Sequence, residues 1–362
     1  MHILLLQQKF LLTKLRFSSI VILVVVLRSL RGAWPGEFHA WALFLFLGGK
    51  ALSQVFLTYE QQINKLITEK LIIVSDKEYA NYTLEQLSYY SLVGGYKDLF
   101  KHPSSGKYKH GVTFEEIVAL YYFDEELRTL FLKYILHIER HMKSAISYHF
   151  CEKYGEQQEA YLNPTNYTLT KKNTSEVTKL VHSIQKAISI PSRYTYITHH
   201  TNKYDNIPLW VAMNALTFGQ VSKIYQYVPN DIQYKISQKF PHVTERELHQ
   251  FITVIVRCRN ICAHGERLFT FHIRETIPNT TLHNKLGIIL KNGQYTQGKQ
   301  DLFSVVIALR YLIGNNEFKQ FKATLVKLIN QVLKQCPHLT SDQLFNEMGF
   351  PKNWYNISRY KK

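Results

Sequence analysis

The stretch RCRNICAHGER, residues 257 to 267, holds the side chains most able to do chemistry. Arg259 offers a permanent forked cation, and His264 offers the one side chain whose ordinary pKa lies near neutrality. Asn260 stands between them as a polar group able to orient either. This set suits RNA cleavage. The ribose 2′-OH is itself a nucleophile, so the protein must move a proton and balance the charge that grows on the phosphorane. The expected products are a 2′,3′-cyclic phosphate and a 5′-OH. On an ideal helix five positions amount to about 500°, so Arg259 and His264 diverge by ~140°. A long arginine, a helix end at Gly265 or a second copy of the chain are three ways to close that gap. A helix with a solvated arginine and a capping histidine carries the same letters, so these residues alone do not decide.

The elements that position them read as helices. Thr244 with Glu247 forms a capping box for the motif helix, and Thr113 with Glu116 forms another for a long stretch, 113 to 155. That stretch predicts two helices broken around Phe123-Asp124. Ser75 or Asp76 opens an earlier helix that ends at Gly94-Gly95. The polar region 156 to 206 predicts one short amphipathic helix at about 174 to 189, with His199 and His200 in a loop. Residues 207 to 228 read as one helix with Trp210 in the core. Asn292-Gly293 predicts a short hairpin, and two closing helices and a C-terminal helix-turn follow.

Composition bounds the function. The chain has 362 residues, 46% hydrophobic and 14% aromatic, ample for a core. Its net charge of +17 favours a polyanionic partner, nucleic acid ahead of an anionic membrane surface. Four cysteines, Cys151, Cys258, Cys262 and Cys336, are too few for a disulfide scaffold and read as buried thiols. No second Cys/His pair completes a zinc site with Cys258, Cys262 and His264, and no HExxH, GxSxG or glycine-rich phosphate loop occurs. No cofactor is expected.

Residues 1 to 55 differ from the rest. Their apolar runs near 20 to 27 and 40 to 49 are shorter than the ~20 residues needed to span a bilayer. The segment reads as an atypical apolar N-terminus, either a start codon placed too early or a membrane anchor. Beyond it 38 basic and 26 acidic residues remain, a net of +12. The basic character therefore belongs to residues 56 to 362.

RNICAHGERLF resembles the Arg-Asn-x-x-x-His signature of HEPN domains. More specifically, it resembles the Abi-like (AbiD/AbiF-type) phage abortive-infection family. Residues 59 to 96, the segment 113 to 155, the block IPLWVAMNALTFGQVSKIY and the tag MGFPKNW are similar to that family in the same order, over about 58 to 355. The resemblance implies an all-α HEPN-type bundle with additional helices and a small hairpin element. It also implies metal-independent endoribonuclease activity in a cytoplasmic, toxin-like defence system. Arg259 and His264 match the catalytic pair, and Asn260 the polar second position. Asn214 departs from the acidic residue common after WVAM. Arg267, Glu139 and Arg140 are candidate RNA-binding or supporting residues, Glu139 as an orienter of an arginine. The expected partners are RNA, a second copy of the chain and an RNA or protein antitoxin. The competing reading is a non-catalytic RNA- or nucleotide-binding module of a two-component defence system.

Overall fold

A computed structural model describes residues 55 to 189 and 191 to 360. The N-terminal segment read above lies outside the described residues, apart from its last position. Residues from Thr58 onward form one compact unit. Its helices, in chain order, are α1 (Tyr59–Thr68), α2 (Lys77–Leu87), α3 (Phe114–Tyr154), α4 (Gln158–Leu162), α5 (Thr174–Ile188), α6 (Thr195–Tyr204), α7 (Leu209–Ala215), α8 (Phe218–Tyr227), α9 (Asn230–Ser237), α10 (Glu245–His264), α11 (Thr281–Lys285), α12 (Leu302–Leu312), α13 (Asn315–Gln335) and α14 (Ser341–Met348). The fold is all-α. A two-stranded hairpin, β1 (Leu290–Lys291) with β2 (Gln294–Tyr295), turns at Asn292 and Gly293, whose φ values of 50° and 74° both lie in the left-handed region. Asn-Gly tolerates that pair of angles and matches the twist of a tight hairpin. Among the described residues no helix is long and apolar enough to cross a membrane.

Helix α3 is the spine. It runs unbroken for 41 residues, about 60 Å at 1.5 Å per residue, and packs against α7, α8, α9, α10, α12 and α13. Thr113 accepts from the Glu116 N–H, and the Glu116 carboxylate accepts from the Thr113 N–H. The same carboxylate meets the N–H and ring of His338, so the start of the spine is tied to the C-terminal region. The expected break at Phe123-Asp124 does not occur. An aspartate weakens a helix when it bonds its own backbone. Here the Asp124 carboxylate is occupied by distant donors, and the helix continues through it.

Other expectations are corrected as well. Residues 207 to 228 form α7 and α8 rather than one helix, because Thr217 and Gln220 make a capping box that starts α8 afresh. Trp210 is 50% exposed, not core. Leu209, Val211, Ala212, Met213 and Ala215 bury nearly the whole circumference of α7, leaving one outward strip to Trp210 and Asn214. The Asn214 amide donates to the Trp210 carbonyl along that strip. His199 and His200 lie on α6 rather than in a loop, and the polar region also holds α4. The predicted helix at 174 to 189 is α5. The helix opened by Asp76 is also present, but it ends at Leu87, and a π-helical turn covers Tyr90–Gly94.

Candidate nucleic-acid cleavage site

Helix α10 has both halves of its Thr244/Glu247 capping box and stays regular to His264. It then stops at Gly265, whose φ of 69° is left-handed and suits a residue without Cβ. The Glu266 N–H closes on the Ile261 carbonyl and the Gly265 N–H on Cys262, the paired bonds of a Schellman end. Leu248, Phe251, Ile255, Cys258 and Cys262 face the core. Burial, followed by the neighbouring Cys262, raises the Cys258 thiol from its ordinary value, so this pair is inert packing.

The polar residues occupy the rest of the circumference. Taking Arg259 as zero, Ala263 lies at ~40°, Asn260 at ~100° and His264 at ~140°. Asn260 and His264 are one turn apart on the same face and both are exposed. Neither side chain has a hydrogen-bond partner among the described residues. Ala263, also exposed, keeps the strip between Arg259 and His264 clear of bulk. A regular helix thus leaves open the gap of ~140° and about 7.5 Å of rise between the two candidate catalytic residues.

Arg259 points toward α3. Its Nε lies 3.6 Å from Oε2 of Glu139, and the Glu139 Oε1 lies 2.9 Å from Nζ of Lys143, one turn further along α3. The Glu139 side chain is 9% exposed and that of Arg259 31%. At 3.6 Å the Arg259 contact is an ion pair and not a hydrogen bond. Both facing atoms are buried without hydrogen-bond partners. Glu139 therefore fixes the direction of the guanidinium without saturating it. Lys143 was missed in the sequence, although its i,i+4 spacing from Glu139 in ERHMK was a readable signal.

The segment after His264 is pinned from three sides. Arg128 reaches the Glu266 carbonyl at 3.4 Å, and Arg267 donates to the Gly95 carbonyl at 2.5 Å. Asp124 accepts from the Leu268 and Phe269 N–H groups. Tyr96 O–H (2.8 Å) and Arg128 (2.5 Å) complete the shell of the carboxylate. Burial raises the Asp124 carboxyl, against the opposing pull of Arg128 and the backbone donors. Arg267 thus anchors the chain after the motif. Arg257 is engaged with Glu275 at 2.6 Å, a bond that holds the Glu275 carboxyl below its ordinary value. Arg140 is exposed and lines a cavity; the adjacent Glu139 faces α10, so the two candidates serve different faces of α3.

Of the sequence candidates, the structure brings Glu139 to Arg259 and sets Asn260 beside His264. It does not gather Arg267 or Arg140 with them.

No curated protein and no solved structure matches the chain. A family model described as Abi-like protein matches residues 82–270, which include α3, the Pro-Leu-Trp block and the whole of α10. The chain belongs to the Abi-like protein family, and that membership suggests a role in phage abortive infection.

Proposed function

We propose that this protein is a HEPN-type, metal-independent endoribonuclease of a toxin-like, cytoplasmic abortive-infection system, acting as a homodimer on RNA. His264 is the general acid/base, Arg259 stabilises the phosphorane and Asn260 is the polar neighbour that orients either of them. The observation that carries the reading is the division of labour on α10. A guanidinium held by a buried carboxylate is left unsaturated, and an unpartnered imidazole stands exposed at the end of the same helix. A cation aimed in advance at developing charge costs no reorganisation when that charge appears.

The geometry supports the dimer. One α10 presents Arg259 and His264 ~140° apart, so a single phosphodiester is poorly served by one copy. Two copies packed across the Ala263 strip would set the arginine of one near the histidine of the other. RNA fits the net charge of +17. Single-stranded or loop RNA is the expected substrate, because the attacking 2′-OH must reach in-line geometry. Restraint by an RNA or protein antitoxin belongs to the same reading.

The test is product chemistry. Purified protein is incubated with total RNA in excess chelator and the new ends are analysed. Cyclic 2′,3′-phosphate with 5′-OH supports the nuclease. Tight binding with RNA left intact would support the non-catalytic module instead.

A further inference from the structure

A cavity of about 590 Å³ lies between α3, the turn after α9 and the α12–α13 junction. Its α3 residues, His137, Ile138, Arg140 and His141, centre on the helix face opposite Glu139, so it is separate from the site on α10. Arg140 and Lys239 are exposed at this cavity. Among the described residues neither has a carboxylate within 4 Å. The single carboxylate of the lining, Glu317, is already engaged. One oxygen meets the His137 ring at 2.8 Å and the other accepts the Gly314 N–H at 3.1 Å, capping α13. Against the upward push of burial, the His137 bond and the Gly314 N–H hold the Glu317 carboxyl below its ordinary value. Burial, and then Lys239, lowers the His141 imidazole. The cavity therefore holds two cationic side chains with no hydrogen bond or close ion pair of their own, Arg140 acting on Glu317 only at longer range, and one carboxylate that is engaged twice.

The floor is apolar. Ile138, Phe240, Tyr311, Leu312 and Ile313 are buried and face the same space. The volume falls within the ~300–1,000 Å³ of small-molecule sites. A bare inorganic anion would meet the cations and leave this floor uncovered. We propose that the cavity binds a nucleoside monophosphate, with Arg140 and Lys239 on the phosphate and the nucleoside against the apolar floor. This inference does not depend on RNA cleavage.

Calorimetric titration of the full chain with AMP and UMP tests it. Inorganic phosphate and a deoxy tetranucleotide with free 5′- and 3′-hydroxyls serve as comparison probes. The expected result is saturable binding of at least one monophosphate at one site per chain. Arg140→Gln and Lys239→Gln should each weaken it tenfold or more, and His264→Ala should leave it unchanged. Melting curves by circular dichroism establish that each variant is folded. The proposal is overturned if neither monophosphate binds, or if binding survives both substitutions or is lost in His264→Ala. It is equally overturned if phosphate binds as tightly as the nucleotide, or if the tetranucleotide binds more tightly.

Discussion

Two of the buried carboxylates on helix α3, Asp124 and Glu139, each face an arginine, and the two pairs are built to different standards. Asp124 receives Arg128, Tyr96 and two backbone N–H groups, and its partner Arg128 also holds the Glu266 carbonyl. Fifteen residues on, about 22 Å along the helix, Glu139 faces Arg259 at 3.6 Å with the nearest oxygen unsatisfied. The ingredients match, but the saturation does not. A buried polar group left incomplete costs about 1–3 kcal/mol, and folded proteins seldom keep that cost without use. The closed pair holds the chain that follows the motif. On the proposed reading, the open pair aims a cation and leaves its outer N–H groups to a ligand.

The contrast makes separable predictions. The largest effect belongs to the open pair. Arg259→Gln should lower RNA cleavage on the order of 10²–10³-fold with the melting temperature nearly unchanged. A melting temperature that falls as steeply as activity would make the two pairs alike. Asp124→Asn should do the reverse. An uncompensated buried Arg128 costs about 3–5 kcal/mol, a fall in melting temperature on the order of 10 °C, while the folded fraction keeps its cleavage rate. Glu139→Gln should reduce cleavage roughly tenfold, as expected for loosened positioning, and cost about 1 kcal/mol or less, since Arg259 and Lys143 both reach solvent. Mixing Arg259→Gln and Glu139→Gln in one chain should give less than the product of the single effects, because both act through one guanidinium.

A further prediction concerns a polar cluster of the closed kind. His283 is buried, with Nδ1 accepting from the Thr280 N–H and Nε2 donating to the Gly298 carbonyl. Burial pushes its pKa down to about 4. A depressed imidazole stabilises the fold above its unfolded value near 6.5, and that stability is lost as pH falls toward 4. The share of His283 in the stability change from pH 7 to 4 is therefore a loss on the order of 3 kcal/mol, set against an opposing gain from buried Asp301, whose carboxyl is raised to about 6. Chemical denaturation of wild type and His283→Gln at each pH should isolate that share as the difference between the two.

What could be read in advance was local. The Thr113/Glu116 and Thr244/Glu247 boxes, the Asp76 cap and the Asn292-Gly293 turn are encoded within four residues, and each is present. What could not be read depends on distant partners. The continuity of α3 through Asp124 rests on amides about 145 positions away. The exposure of Trp210 follows from which face of α7 the core claims. Within the site, Arg259, Asn260 and His264 stood out by type and spacing. That Asn260 would share a face with His264 followed from helical arithmetic, while the approach of Glu139 and Lys143 required the packing of α3 on α10. The cavity beside Arg140 joins three separate segments and left no sequence signal.

The most direct measurement compares wild type with His264→Ala on a single-stranded RNA in excess chelator, following both cleavage rate and RNA affinity. The account predicts a rate lower by roughly 10²–10⁴-fold at nearly unchanged affinity and unchanged melting temperature. A variant that cuts at the wild-type rate would contradict it.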